Sequence, residues 1–261
     1  DIEGAVDLAL AYTPFPATVC GYLCPNLCME GCTRAQKGLV PIDTSLIGKA
    51  SLEARPPKRS SPTGKRIAVI GGGPAGLSVA WQLWLKGHEP EIFDRNERLG
   101  GKIRDVIPHS RIPANVFEHE LARVEERVRH TIITELDEDL FMDIVNRHEY
   151  TVIAVGANDP RTLKVEGAPR AMSALDFLKA AKRDKMKVGR RVVVIGAGNV
   201  GCDVATEAYR LGAREVTLVD IQRPASFGRE RAAAESLGAR FLWPVRTEAV
   251  TAKGVILADG R

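Results

Sequence analysis

Lys65–Ser78 reads KRIAVIGGGPAGLS, and the fold is decided there. Arg66–Ile70 is a short apolar run rich in β-branched residues, the pattern of a buried parallel strand. Gly71, Gly73 and Gly76 follow as G-x-G-x-x-G, and Leu77, Ala80, Trp81, Trp84 and Leu85 then recur at helical spacing. Pro74 suits the first turn of that helix, and Gly87 suits its C-terminal cap. The glycines have separate tasks: a tight turn, a close approach of backbone to a pyrophosphate, and close packing of helix on strand. Pro74 and Ala75 open a helix whose unpaired N–H groups and positive dipole end would face the phosphates. The next strand, Pro90–Phe93, runs into Asp94 and Arg95 about 20 residues on, where a ribose hydroxyl needs an acceptor. Strand, glycines, helix and acid together predict a dinucleotide site.

The same unit occurs twice. Arg190–Ile195 is a second apolar strand, Gly196, Gly198 and Gly201 repeat the fingerprint, and Asn199 and Val200 open its helix. Val204, Ala208 and Leu211 mark the apolar face of that helix and Gly212 its end. Glu215–Val219 is the following strand, closed by Asp220 and Ile221. The expected fold is α/β, with two Rossmann-like dinucleotide-binding domains. Two nucleotide folds predict two nucleotides, one held as a flavin and one exchanging as a nicotinamide.

A chain of 261 residues has room for two such cores and a small extra module. No apolar stretch approaches the roughly 20 residues needed to span a bilayer, and no signal-peptide pattern is visible. The net charge of +4 is small for this length and gives no argument for nucleic acid. Four of the five cysteines, Cys20, Cys24, Cys28 and Cys32, stand at uniform C-x3-C spacing within PFPATVCGYLCPNLCMEGCTR. In a large nucleotide-binding chain this points to a soft-metal site in a reducing, cytoplasmic compartment rather than to disulfides. The thiolates could converge on an iron–sulfur cluster or on zinc, and spacing alone leaves both open. Cys202, on the second nucleotide helix, reads as a small packed residue.

In chain order, residues 1–60 are expected as a small helical cysteine-rich domain, cut within a longer protein at its N-terminus. RPPKRSSPT (Arg55–Thr63) is a linker. A flavin-type domain is expected over 64–165, lacking its C-terminal return, and a nicotinamide domain over 166–261. Within the first, Gly100 and Gly101 form a further close-approach turn and VIPHSRIP (Val106–Pro113) an ordered loop. Val116–Val128 is an amphipathic helix, and Thr131–Thr134 and Thr151–Val155 are strands, the latter placing Ala154 and Gly156 beneath the nucleotide.

These stretches resemble the small (β) subunits of glutamate synthase and their relatives, iron–sulfur flavoproteins built on a thioredoxin-reductase-like pair of nucleotide domains. The resemblance covers nearly the whole chain. It rests on the cysteine stretch, IAVIGGGPAGLSVA, LGGKIRDVIPHSRIP, TVIAVGA, ALDFL and VVVIGAGNVGCDVA. It implies FAD at the first fingerprint with Asp94, Gly100 and Gly101 in contact and with Ile107 and Arg111 near the flavin. It implies NAD(P)H at the second, and a [4Fe–4S] cluster on Cys20, Cys24, Cys28 and Cys32, one of which belongs to another cluster in relatives with two. Electrons would pass from NAD(P)H through FAD and the cluster to a partner subunit, with no side-chain acid or base required. The family often has Tyr-Arg-Arg after the second nucleotide strand; here Asp220-Ile221-Gln222-Arg223 favours NADH over NADPH. The competing expectations are a non-catalytic scaffold that docks a partner and a disulfide reductase. The latter lacks the redox C-x-x-C that it would need in either nucleotide domain.

Overall fold

The computed structural model describes residues 1–160 and 162–259. The chain divides into two compact units, one of Asp1–Asp105 with His109–Ala157, the other of Val106–Pro108 and the chain from Asn158 on. The cysteine-rich segment therefore shares a unit with the first nucleotide fold, and the boundary between nucleotide folds follows Ala157.

The first unit opens with α1 (Ile2–Tyr12), a π-helical turn (Ala17–Leu23), α2 (Leu27–Glu30), α3 (Thr33–Gln36) and α4 (Ser45–Ala50). The apolar stripe of α1 buries Val6 and Leu10, and its end is tied down where Trp81 Nε1 donates to Leu10 O at 2.8 Å. Fully burying a side chain as large as Trp81 contributes roughly 2–3 kcal/mol, provided that its N–H finds a partner, as it does here. The nucleotide fold then alternates strand and helix: β1 (Arg66–Ile70), α5 (Pro74–Leu85), β2 (Glu89–Asp94), α6 (Gly101–Asp105), α7 (Ala114–Glu125), β3 (Arg129–Ile132), α8 (Glu138–Arg147) and β4 (Tyr150–Ile153). The strands are parallel in the order β3-β2-β1-β4. Four of the five residues of β1 are buried, as its unbroken apolar run predicts for a central strand. Order reverses beside β1, so the crevice at its carboxyl end, between β1 and β4, is the topological switch point.

Several elements differ from the sequence reading: β4 ends at Ile153 rather than Val155, α7 runs Ala114–Glu125 rather than Val116–Val128, and α6 was not expected. The third strand begins at Arg129, two residues before the expected Thr131, because Glu91 of β2 pairs with Arg129. Helix α8 was not expected; Asp137 caps it, accepting from Leu140 N at 2.8 Å, and its Ile144 is buried with Ala68, Ile70 and Phe93.

The second unit repeats the pattern with α9 (Ala174–Lys182), β5 (Arg191–Ile195), α10 (Asn199–Arg210), β6 (Glu215–Val219), α11 (Gly228–Ser236) and β7 (Arg240–Leu242). Strands β5, β6 and β7 are parallel and adjacent in that order. An antiparallel hairpin, β8 (Val245–Thr251) and β9 (Gly254–Asp259), follows and contains the expected strand Val255–Leu257. Phe177, Leu178, Val204, Ala208, Val216 and Leu218 form the core, against which Val106 packs. That contact, with Lys182 Nζ donating to Ile107 O at 2.6 Å, draws Val106–Pro108 into this unit.

Candidate functional site: two glycine cradles

The two fingerprints fold alike, each within its own unit. Gly71 has φ +107° and Gly196 φ +108°, left-handed backbone that makes the tight turn and that a side chain would strain. A Cβ at Gly76 would lie 1.8 Å from Gly71 O, and one at Gly201 2.2 Å from Gly196 O, so helix and strand can meet only through glycine. The middle glycines are different. Gly73 (φ −78°, ψ −174°) and Gly198 (φ −82°, ψ −178°) are extended N-caps of α5 and α10, a conformation open to any residue. A Cβ at either would meet nothing within 4 Å. Nothing in the protein requires glycine there, and the open space leaves room for a ligand against the backbone. Neither helix has a side-chain cap, so the first-turn N–H groups, those of Ala75 and Gly76 in one and Val200 and Gly201 in the other, are left for such a ligand.

The acids at the strand ends hold the turns. Asp94 Oδ2 accepts from Gly72 N at 2.6 Å, while its Oδ1 accepts from Asn96 N and Nδ2. Asp220 Oδ2 accepts from Ala197 N at 2.8 Å and its Oδ1 from Gln222 N at 3.1 Å. An ionised carboxylate has about four acceptor positions, so each can still receive a ribose hydroxyl. The sequence spacing located both acids but not this second duty, since the residue between the first two glycines carries no side chain or only a methyl to betray it.

Other expected residues gather at the first cradle. Gly100 N donates to Gly72 O at 2.8 Å, and a Cβ at Gly101 would lie 2.9 Å from Gly73 Cα. A Cβ at Gly71 would lie 2.5 Å from Ala154 O, so the end of β4 abuts the turn. Gly156 (φ +75°) has open space around it. Arg95 follows Asp94 on the exposed surface, and Arg111 is half-buried in the same unit. Ile107 is grouped with the second unit, for the packing reason given above. At the second cradle Asn199 Oδ1 accepts from Phe227 N at 3.0 Å and Ser226 N donates to Ala197 O at 3.2 Å, which folds the loop after β6 back over the glycines. Ile221 and Arg223 on that loop are exposed.

The cysteines occupy four successive local structures: Cys20 in the π-helical turn, Cys24 at its C-cap, Cys28 in α2 and Cys32 at the N-cap of α3. All are free thiols. Asn26, at φ +59°, turns the chain between α2 and the segment before it and donates from its backbone to Cys24 Sγ at 3.4 Å; Cys28 Sγ meets Thr44 Oγ1 at 3.1 Å. Burial pushes the Cys20 thiol up, aided by the charges of Cys24, Cys28 and Glu120. Backbone N–H groups of Ile42 and Arg34 draw the Cys32 thiol down. Among the described residues no three His, Cys, Asp or Glu side chains form a metal-holding group. Cys20 nevertheless lies close enough to Cys24 and Cys28 for their charges to act on it.

Sequence reasoning missed Glu120 and Arg123. They lie on the otherwise apolar face of α7 with Val116, Phe117, Leu121 and Val124, and two charges at i and i+3 on such a face are the signal that could have found them. Burial raises the Glu120 carboxyl above its ordinary range, against the backbone N–H of Thr18 that draws it down.

With this geometry in place, the pyridine nucleotide-disulphide oxidoreductase family matches residues 65–260. A glutamate synthase [NADPH] small chain from Azospirillum brasilense is 28% identical over 98% of this chain and 59% of its own length. The NAD-dependent dihydropyrimidine dehydrogenase subunit PreT from Escherichia coli O157:H7 is 31% identical over 86% of this chain and 58% of its own. The chain thus spans about three fifths of these relatives. A thioredoxin reductase from T. acidophilum superposes with TM-score 0.57 at 15% identity, covering 75% of this chain and 71% of that one, which shows the shared fold.

Proposed function

The chain belongs to the pyridine nucleotide-disulphide oxidoreductase family, and from that premise we propose that it is a flavin-dependent NAD(P)H oxidoreductase that feeds electrons to a partner protein. The observation that carries this is the pair of matching cradles, each with a middle glycine beside open space that a phosphate could fill. FAD is assigned to the first. Gly71, Gly73 and the first turn of α5 would hold its pyrophosphate, Asp94 its ribose, and Gly100 and Gly101 would line its approach. When bound, it supplies the two-electron chemistry that no side chain of the chain offers. The chain's own part is to seat both nucleotides and keep their phosphates on dry backbone. Delivery to a partner is proposed from the names of the relatives, which are a small chain and a subunit. No step is routed through an iron–sulfur cluster, since among the described residues no three such side chains form a metal-holding group.

NADH is the proposed donor. Asp220 keeps two acceptor positions for the adenosine ribose, and a 2′-phosphate beside it would meet like charge. A disulfide-reductase reading would need a cysteine pair in a nucleotide fold; Cys202 there is single and buried. The test is Gly73→Val. A Cβ at this extended residue meets nothing within 4 Å, and the branched side chain beyond it would fill the phosphate space, so the variant should fold and bind no flavin. A folded Gly73→Val protein with normal flavin content would refute the assignment.

A further inference from the structure

The most deeply buried charges of the first unit belong to α7. Glu120 is fully buried and Arg123 nearly so. Glu120 Oε1 accepts from Ala17 N and Oε2 from Thr18 N, both at 2.8 Å. Those amides open the π-helical turn Ala17–Leu23, which carries Cys20 and ends at Cys24. Pro16 occupies the N-cap and offers no side-chain hydrogen bond, so the turn has no cap of its own. A carboxylate on N-terminal N–H groups is what stabilises such an end. Here it arrives from a residue 103 positions away from Ala17. Arg123 fastens the flanks of the same segment, donating to Pro14 O at 3.1 Å, Ser51 O at 2.9 Å and Leu52 O at 3.0 Å.

The same helix walls the first cradle. The Phe117 ring would lie 2.8 Å from a Cβ at Gly100 and stacks on Phe15, centroids 5.8 Å apart. Arg104, its guanidinium 5.7 Å from that ring, donates to Leu99 O at 2.5 Å and pairs with Glu118 of α7 at 2.6 Å. One turn of α7 thus supports the glycine turn, and the next holds the cysteine-bearing segment.

We propose that Glu120 is a positioning residue, a cap supplied across the fold that sets the cysteine-bearing turn at a fixed place relative to the first cradle, with α7 as the rigid spacer. This stands whichever nucleotide the cradle takes. In Glu120→Gln one oxygen still accepts, but the new NH2 group faces a backbone N–H, donor against donor. Hydrogen exchange read by mass spectrometry on the full-length protein should show residues 15–24 exchanging about tenfold faster, the cost of one charge-assisted hydrogen bond. Peptides covering β1 and the first turn of α5 should keep wild-type rates. Glu120→Asp retains the charge but withdraws it by one methylene, and should fall between the two; it answers the same question if the Gln variant does not fold. Wild-type exchange over 15–24 in these variants would overturn the proposal. So would acceleration spread equally over β1, which would make Glu120 an ordinary core residue.

Discussion

Gly73 and Gly76 stand three residues apart in the same fingerprint, yet alanine should affect them in opposite ways. At Gly76 the added methyl would collide with Gly71 O, and relief requires the helix to shift from the strand. Overpacking of this kind costs about 1–3 kcal/mol, so Gly76→Ala should lower the urea midpoint of the ligand-free protein. At Gly73 the methyl enters open space in an extended conformation, so Gly73→Ala should leave that midpoint unchanged and weaken flavin binding instead. Equal midpoints for the two variants would contradict the division of labour. A third residue sets part of the acid response. Glu149, exposed, has its carboxyl lowered below the ordinary range by its own backbone N–H and then by Arg66 N, which donates to it at 2.7 Å. A carboxyl depressed by folding contributes stability above its unfolded value, about 4.3, and loses it as pH falls through the lower folded one. Glu149→Gln should therefore narrow the gap in stability between neutral pH and pH about 3. An unchanged gap would show that the contact carries no such linkage.

At the scale of elements, the strand–glycine–helix units were legible because local pattern and tertiary role coincide: β1 is central, buried and uniformly apolar, and Pro74 begins α5. The acids Asp94 and Asp220 were legible as positions, but their hold on Gly72 N and Ala197 N was not, since a backbone donor leaves no mark in sequence. The same holds for Glu120, whose partners are the amides of Ala17 and Thr18. Helix α8 escaped because its stripe is short and its start is marked by a single cap, Asp137. The regular cysteine spacing runs through four local structures, with the left-handed turn at Asn26 between Cys24 and Cys28. Nucleotide choice also belongs to this scale, to the loop after β6. Asp220→Ser should lose the anchor on Ala197 N and shift flavin reduction toward NADPH, with the exposed Arg223 then free to meet a 2′-phosphate. Comparing kcat/KM for the two cofactors before and after the substitution checks it. If wild type already favours NADPH and the ratio does not move, Asp220 is not the selector.

The whole molecule is two nucleotide folds in tandem, with a helical cysteine-bearing segment built into the first. The proposed function divides the roles of the two cradles: the first keeps its nucleotide, the second exchanges it. No helix among the described residues is long and apolar enough to cross a membrane. The most direct measurement is the visible spectrum of the full-length protein, taken anaerobically before and after NADH is added, for wild type and for Gly198→Val. The wild-type flavin bands should bleach on addition. Gly198→Val should carry the same flavin and stay oxidised, because a branched side chain fills the second cradle and leaves the first untouched. A wild-type protein whose flavin does not respond to either nicotinamide nucleotide, or a Gly198→Val protein that bleaches as fast as wild type, would contradict the account.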